Sequence, residues 1–454
     1  MFNRFSIHPT DDPQEISHQQ RSNFFHLYFD MSWFGVLNAS AMGFVAVYVT
    51  RLGASSFQLG LLNALPSLVA LVMALPLGRW MTHKPIRPVV LGSAVLYRAF
   101  YLLWVIFPLW VTQPQLRIDF LLVSTFLMSF PGTALSIAFN NLFAATVTGQ
   151  FRPHVVGVRQ ALFAVFSVLT ALLCGFLLNQ LPFDSGYFWV FFLGLFGAVA
   201  STVHLYFIHP AEEISPTRSP VQLLRDWAQP GLLQPWNGIR RGLAIRSFTR
   251  GVTLRSILNP SILRGEFGVL LGMIFAFHFA QFMGGPLFPL WTVNELRLTD
   301  LTISYANGLF FTALAFASLW LAPISRRLGN AGAFAVGAVS MAVYPFLLSI
   351  ATGAGMVLFA NVVAGVSWAI TGGALGNFVL ERIPNENRAT HLAWQNIALH
   401  GAILFSSLFA PWLAEQFGLK IALEVTALAR FFSGVLVLLL VWKEGNRRKT
   451  KDEV

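Results

Sequence analysis

The sequence predicts an all-α membrane protein, with twelve transmembrane helices in two six-helix, pseudo-symmetric halves. Three observations carry this. First, the 454 residues are 56% hydrophobic and only 11% charged, where a soluble domain carries roughly 25% charged residues. That much apolar surface needs lipid as its solvent. Second, the apolar residues fall in twelve runs, each long enough for a helix of roughly 20 residues across a bilayer. The runs are continuous rather than alternating, which excludes a barrel of strands. Third, they divide six and six around the one long polar interval, residues 210–265. That interval carries Arg218, Arg225, Arg240, Arg241, Arg246, Arg250, Arg255 and Arg264 against Glu212, Glu213 and Asp226.

In chain order, residues 1–22 are polar and form an N-terminal segment. The first apolar run far exceeds the roughly 7–15 residues of a signal-peptide core, so it is expected to stay as span 1. Spans 1 to 6 are 23–49, 57–78, 88–108, 118–145, 155–179 and 187–208, within an N-terminal bundle of 23–209. Spans 7 to 12 are 267–291, 302–324, 333–350, 356–380, 390–413 and 419–442, within a C-terminal bundle of 266–442. Residues 443–454 are a basic tail. The single cysteine, Cys174, lies in an apolar run and reads as a small buried hydrophobe.

Charge gives the orientation. With the N-terminus in the cytoplasm, 24 of the 30 lysines and arginines fall inside. Only Arg51, Arg117, Arg297 and Lys420 fall outside, and Arg98 and Arg430 lie within spans. The positive-inside rule therefore places both termini in the cytoplasm of a multi-pass protein of the cell (inner) membrane. It also explains the formal net charge of +11 without nucleic acid as a partner.

The halves repeat. Arg51-Leu52-Gly53-Ala54-Ser55 opens span 2 as Arg297-Leu298-Thr299-Asp300-Leu301 opens span 8, and the ends of spans 5 and 11 are also alike. Parallel six-helix repeats are one of the architectures of secondary transporters. Over essentially its whole length the chain resembles the major facilitator superfamily. The family's loop signature, Gly-x-Leu-Ala-Asp-Arg-x-Gly-Arg-Lys, survives in part as Ala322-Pro323-Ile324-Ser325-Arg326-Arg327-Leu328-Gly329-Asn330. Arg327 and Gly329 match, and Arg326 replaces the acid. The first copy, Pro76 to Lys84, is nearly gone. The resemblance implies that spans 1, 4, 7 and 10 surround a central cavity, that 2, 5, 8 and 11 flank it, and that 3, 6, 9 and 12 lie outermost. It also implies Arg327 as a gating residue.

The polar patterns can be read on their own. Thr125, Ser129, Ser136 and Asn140 share one face of span 4 at 100° per residue, with Pro131-Gly132 in mid-span to let it bend. A polar stripe on a membrane helix faces protein or water, so this one is either interhelical bonding or a cavity wall. Span 7 has His278 and Gln281 near mid-depth, followed by Gly284-Gly285-Pro286 and Pro289. Span 10 aligns Asn361, Gly365, Trp368 and Gly372, either as a stacking surface for a ligand or as close helix packing. Span 11 adds Asn396 and His400 one turn apart. With Asn38 of span 1, the substrate-binding candidates are Asn38, Ser129, Ser136, His278, Gln281, Trp368, Asn396 and His400. Asp30 lies about two turns into span 1, at the depth expected of Arg159 and Asn140. It is expected to pair with Arg159 or to bind a proton, and a static salt bridge is the alternative. Asp30, Asn140, Arg159 and Arg327 are the coupling and gating candidates. Arg98 and Arg430 read as structural, pairing with neighbours or snorkelling. Trp227, Leu232, Leu233, Trp236 and Ile239 in the basic interval would contact anionic inner-leaflet lipid, or else belong to a plain linker. Gly194 and Gly197 read as packing positions.

The sequence carries no Walker loop, no His-Glu-x-x-His and no cysteine cluster, so no ATP motor, metal site or cofactor is expected. The expected function is a secondary transporter of a small organic solute working by alternating access, and a monomer is expected. Export of neutral or lipophilic-cationic compounds driven by a proton gradient is the first reading. Uptake of a sugar-like or other neutral metabolite is the second. A non-transport protein with a partner-binding loop is a third. A lipid-acting enzyme would have only Asp30, His391 and Glu381 to work with.

Overall fold

Lipid offers no hydrogen bonds, so each apolar run satisfies its own backbone as a helix. The computed structural model describes residues 17–81, 84–210, 260–383 and 388–452. Its membrane-crossing helices are α1 (His18–Arg51), α2 (Ser56–Gly78), α3 (Ile86–Trp110), α4 (Pro114–Thr146), α5 (His154–Gln180) and α6 (Phe183–Tyr206) in the first half. The second half has α7 (Glu266–Glu295), α8 (Asp300–Leu319), α9 (Leu321–Ser349), α10 (Ala354–Leu380), α11 (Thr390–Phe417) and α12 (Leu419–Trp442). No strand occurs among the described residues. Residues 211–259, with the aromatic and basic positions of the polar interval, lie outside the described residues. An even number of spans puts both termini on one side, here called the terminal face; the other is the opposite face.

Local chemistry sets the helix ends. Ser17 and Gln20 form a reciprocal capping box at the start of α1. Pro114 starts α4, where its missing N–H costs nothing. The Thr299 hydroxyl accepts the Thr302 amide to start α8. Arg117 donates to the Val111 and Pro108 carbonyls at the end of α3 (2.6 and 2.9 Å) and to Asp184 (2.5 Å). That one guanidinium thereby ties α3, α4 and α6 at the opposite face.

One boundary differs from the sequence reading. Span 8 bends at Trp320, and the loop signature stays helical as far as Leu328. The chain turns only at Gly329, whose φ is 69°. Only glycine enters that region without strain, which accounts for the one signature position that must be kept.

Each of α1, α4, α7 and α10 is held by two neighbours of its own half. α1 packs on α5 and α6, α4 on α2 and α3, α7 on α11 and α12, and α10 on α8 and α9. Those four helices do not pack on one another along their length, so they surround a central space. Large apolar side chains are exposed along α3 (Leu96, Leu103), α6 (Phe196, Val203) and α12 (Phe432, Leu439), which places those helices against lipid. A Cβ on Gly197 would lie 2.8 Å from the Trp33 carbonyl of α1, and one on Gly194 would lie 3.1 Å from the Ser40 hydroxyl. Both glycines are therefore packing positions, where small residues let the backbones approach.

The halves meet at the opposite face, where α2 packs on α11 and α5 on α8. The Arg51 guanidinium donates to Asp300 at 3.0 Å and to the Leu298 carbonyl, and the Ser56 hydroxyl donates to Glu415 at 2.5 Å. Among the described residues, α4 and α5 make no comparable packing with α10 and α11 at the terminal face. The central space is thus sealed at the opposite face and faces the terminal one. Because Arg51–Asp300 is a partly exposed pair, Arg51→Ala is expected to raise opposite-face opening by only about two- to five-fold. Labelling of a cysteine placed at Ser56 measures this.

Candidate functional site between the halves

On the terminal side of the first half, Asp30 is completely buried among charged and hydroxyl partners from three helices. Arg159 of α5 donates to its Oδ2 at 3.4 Å, Ser201 of α6 donates to Oδ1, and Arg98 of α3 stands 4.0 Å from Oδ1. Arg159 also donates to the Leu27 carbonyl at 3.2 Å and lies over the Phe139 and Phe143 rings at 5.0 and 5.2 Å. Arg98 donates in turn to Ser201 (2.8 Å) and Thr202. The structure therefore joins Asp30 to Arg159, as the sequence suggested. It also brings in Arg98, which reaches inward from a lipid-facing helix. Ser201 had no signal in the sequence, being one serine in an apolar run.

Nearer mid-depth, several polar side chains lack protein partners. Gln281 Oε1 on α7, Trp368 Nε1 on α10, His400 Nδ1 on α11 and Thr125 Oγ1 on α4 are buried with no hydrogen bond, as is Trp394 Nε1 about one turn in from the terminal end of α11. Each such group costs about 1–3 kcal/mol when left unpaired, so these groups on α4, α7, α10 and α11 are the candidates for bonding a ligand. The carboxamides of Asn38 and Asn396 also make no hydrogen bond among the described residues. Asn38 opens a π-helical turn, Asn38–Met42, in α1. Such turns occur often at functional sites.

Other candidates are already engaged. Ser129 donates to the Thr125 carbonyl (2.5 Å) and Thr133 to the Ser129 carbonyl (2.8 Å). These hydroxyls keep acceptor capacity, while their protons serve their own helix. Ser136 is buried and Asn140 half-buried, closer to the terminal face. His278 Nδ1 lies 2.8 Å from the Ile274 carbonyl, which assigns the Nδ1 proton to that bond. Gly365, in the Trp368 stripe, is a contact with α8, since a Cβ there would lie 2.9 Å from the Ala313 methyl. Arg327 is exposed and makes no ion pair or hydrogen bond among the described residues. Its neighbour Asn330 bonds α10 instead, donating to Glu381 at 2.6 Å and accepting from Asn377 at 3.5 Å. Trp394 was missed in the sequence although it adjoins Gln395 and Asn396, because a single tryptophan in a span ordinarily serves packing.

The Major Facilitator Superfamily model matches residues 27–399 and again 270–454. The chain belongs to the major facilitator superfamily. The second match opens in α7, as the internal repeat requires. The fold agrees with other superfamily structures. A mutant of the nucleoside transporter NupG superposes with a TM-score of 0.63 at 10% identity, over 93% of this chain and 99% of that one. The partially occluded, inward-open xylose transporter XylE from E. coli gives 0.61 at 15% identity, over 94% and 98%. The human organic anion transporter MFSD10 gives 0.57 at 14%, over 94% and 100%. No curated protein matches the chain by sequence. Superfamily and fold make the chain an integral, multi-pass membrane transporter of small molecules.

Proposed function

We propose that the protein carries a neutral organic solute rich in hydrogen-bonding groups, by alternating access, with both termini in the cytoplasm. One observation supports this reading most. Asp30, the acid lying deepest in any span, has both oxygens engaged by Arg159, Arg98 and Ser201, whereas the groups without partners are amides, indoles, an imidazole and a hydroxyl. A lipophilic cation would want a carboxylate at mid-depth, and a multiply charged anion would want guanidiniums not already engaged. Amides and indoles suit hydroxyl, carbonyl or ring-nitrogen groups, and sites built to hydrogen-bond a solute reject analogues that lack the bond. This favours a neutral solute over the lipophilic cation that composition alone left open.

Proton coupling at Asp30 would work by competition. A proton on that carboxylate would remove the charge that holds Arg159 and Arg98, which loosens the tie between α1, α3, α5 and α6. The positive-inside count would then make the sealed face the outer one.

The test is transport into proteoliposomes, with a panel of sugars, nucleosides and lipophilic cationic dyes, with and without an imposed proton gradient. Saturable movement of a neutral solute is expected, with KM raised about tenfold in Gln281→Leu and in Trp368→Phe, one hydrogen bond each. Gradient-driven movement of the dyes, with the neutral solutes ignored, would overturn the reading.

A further inference from the structure

α7 carries Gly284-Gly285-Pro286 just beyond mid-depth, where it touches α2 of the first half. A Cβ on Gly285 would lie 2.9 Å from the Asn63 amide of α2. A Cβ on Gly284 would run into the Phe288 ring, which folds back over its own helix. The missing side chains and the missing Pro286 N–H make this a weak point in the helix. Something has to fix its shape.

We propose that Arg430, on α12, is the positioning residue that clasps this hinge and holds α7 in the form that seals the opposite face. The guanidinium grips both sides of the weak point. Before it, Nη2 donates to the Gln281 carbonyl at 2.6 Å and Nε to the Ala280 carbonyl at 3.3 Å. Beyond it, the guanidinium carbon lies 5.4 Å from the centre of the Phe288 ring. A third bond reaches α9, where Nη1 donates to the Met341 carbonyl at 3.3 Å. That carbonyl has no helical donor of its own, because the residue four ahead is Pro345. Tyr344 completes the seat, its ring meeting Phe288 edge-on at 4.8 Å.

The charge itself argues for this role. Arg430 is buried, and among the described residues no acid pairs with it. A buried ion without a counter-ion is costly, and a packing role would be filled at less cost by methionine or leucine. What a guanidinium adds is five donors in a fixed planar fork plus affinity for a ring face. That matches three carbonyls on two helices and one phenyl ring. The same Gln281 whose backbone is gripped offers its side chain to the central site, so the clasp links the hinge to solute binding. Opening the opposite face would draw Asn63 away from Gly285, and α7 beyond the hinge would then shift against Arg430.

This inference rests on alternating access and not on the nature of the solute, so its test needs no solute. Spin labels on cysteines at Thr112 and Lys420, both exposed at the opposite face on different halves, report closure by their distance distribution, with Cys174 replaced by alanine. In the parent protein a single short-distance population is expected. In Arg430→Met, and independently in Phe288→Leu, a longer-distance population is expected to rise from at most about 10% to about half. Arg430→Lys, a charge without the fork, is expected to fall nearer to Arg430→Met than to the parent. If Phe288→Leu and Arg430→Lys are both monodisperse and keep the parent distribution, the clasp is wrong, whatever the fate of Arg430→Met. A failed solute panel with the expected distance shifts would overturn the proposed solute and leave the clasp standing.

Discussion

Gly60→Val is expected to give a folded protein that transports poorly because its opposite face no longer closes. Gly60 sits where α2 crosses α11 between the halves. Any Cβ there would overlap the Ser407 carbonyl and come within 2.8 Å of the Pro411 ring. Both are parts of a helix backbone or a rigid ring, so neither can swing aside as a long side chain would. The halves must separate instead. Overpacking of this kind costs about 1–3 kcal/mol. Because it is charged only to the closed state, the closure equilibrium should shift by roughly 5- to 150-fold. Each half folds around contacts that Gly60 does not touch, so the melting temperature in detergent should change little. Gly175→Val in α5 is the symmetry-related control, its Cβ meeting the Ser304 hydroxyl of α8 at 2.6 Å. Labelling of a cysteine at Ser56 should become faster in both. A Gly60→Val protein that labels and transports as the parent does would show that this crossing is not a closure contact.

Asp30→Asn is expected to be the more damaging change, and to act on stability first. The substitution keeps the shape and one acceptor oxygen but removes the charge facing Arg98 and Arg159. Breaking a buried ion pair by removing one partner costs about 3–5 kcal/mol, so thermal unfolding in detergent should move down clearly. Downhill exchange of solute, measured without any gradient, separates the two readings of the cluster. If exchange falls along with gradient-driven accumulation, Asp30 serves as a structural tie among α1, α3, α5 and α6. If exchange persists while accumulation is lost, the carboxylate carries the coupling proton.

Much of this protein could be read without coordinates. The span count follows from the length of each apolar run against the thickness of a bilayer. The two-half layout follows from the basic interval between runs six and seven and from the repeat of Arg51-Leu52-Gly53 in Arg297-Leu298-Thr299. The Asp30–Arg159 pair was legible because ionised groups in lipid must find each other. The packing role of Gly194 and Gly197 was legible for a similar reason, since small residues in an apolar run have little else to offer.

What the sequence by itself determined is therefore whatever one helix and its solvent decide: where each helix runs, which of its faces is polar and which residues must be paired. The tertiary structure alone decided which pairings are made across helices. It sent Arg98 inward to Asp30 and Arg430 to the carbonyls of α7 and α9, although both read as equivalent arginines on lipid-facing helices. It left Gln281, Trp368 and Trp394 without partners. It set the Gly60–Ser407 and Gly175–Ser304 crossings that seal one face. The physical reason is one of range. Helix formation and membrane insertion depend on neighbours within a few residues, whereas the contacts between helices join positions tens to hundreds of residues apart, and their geometry exists only once the bundles have packed.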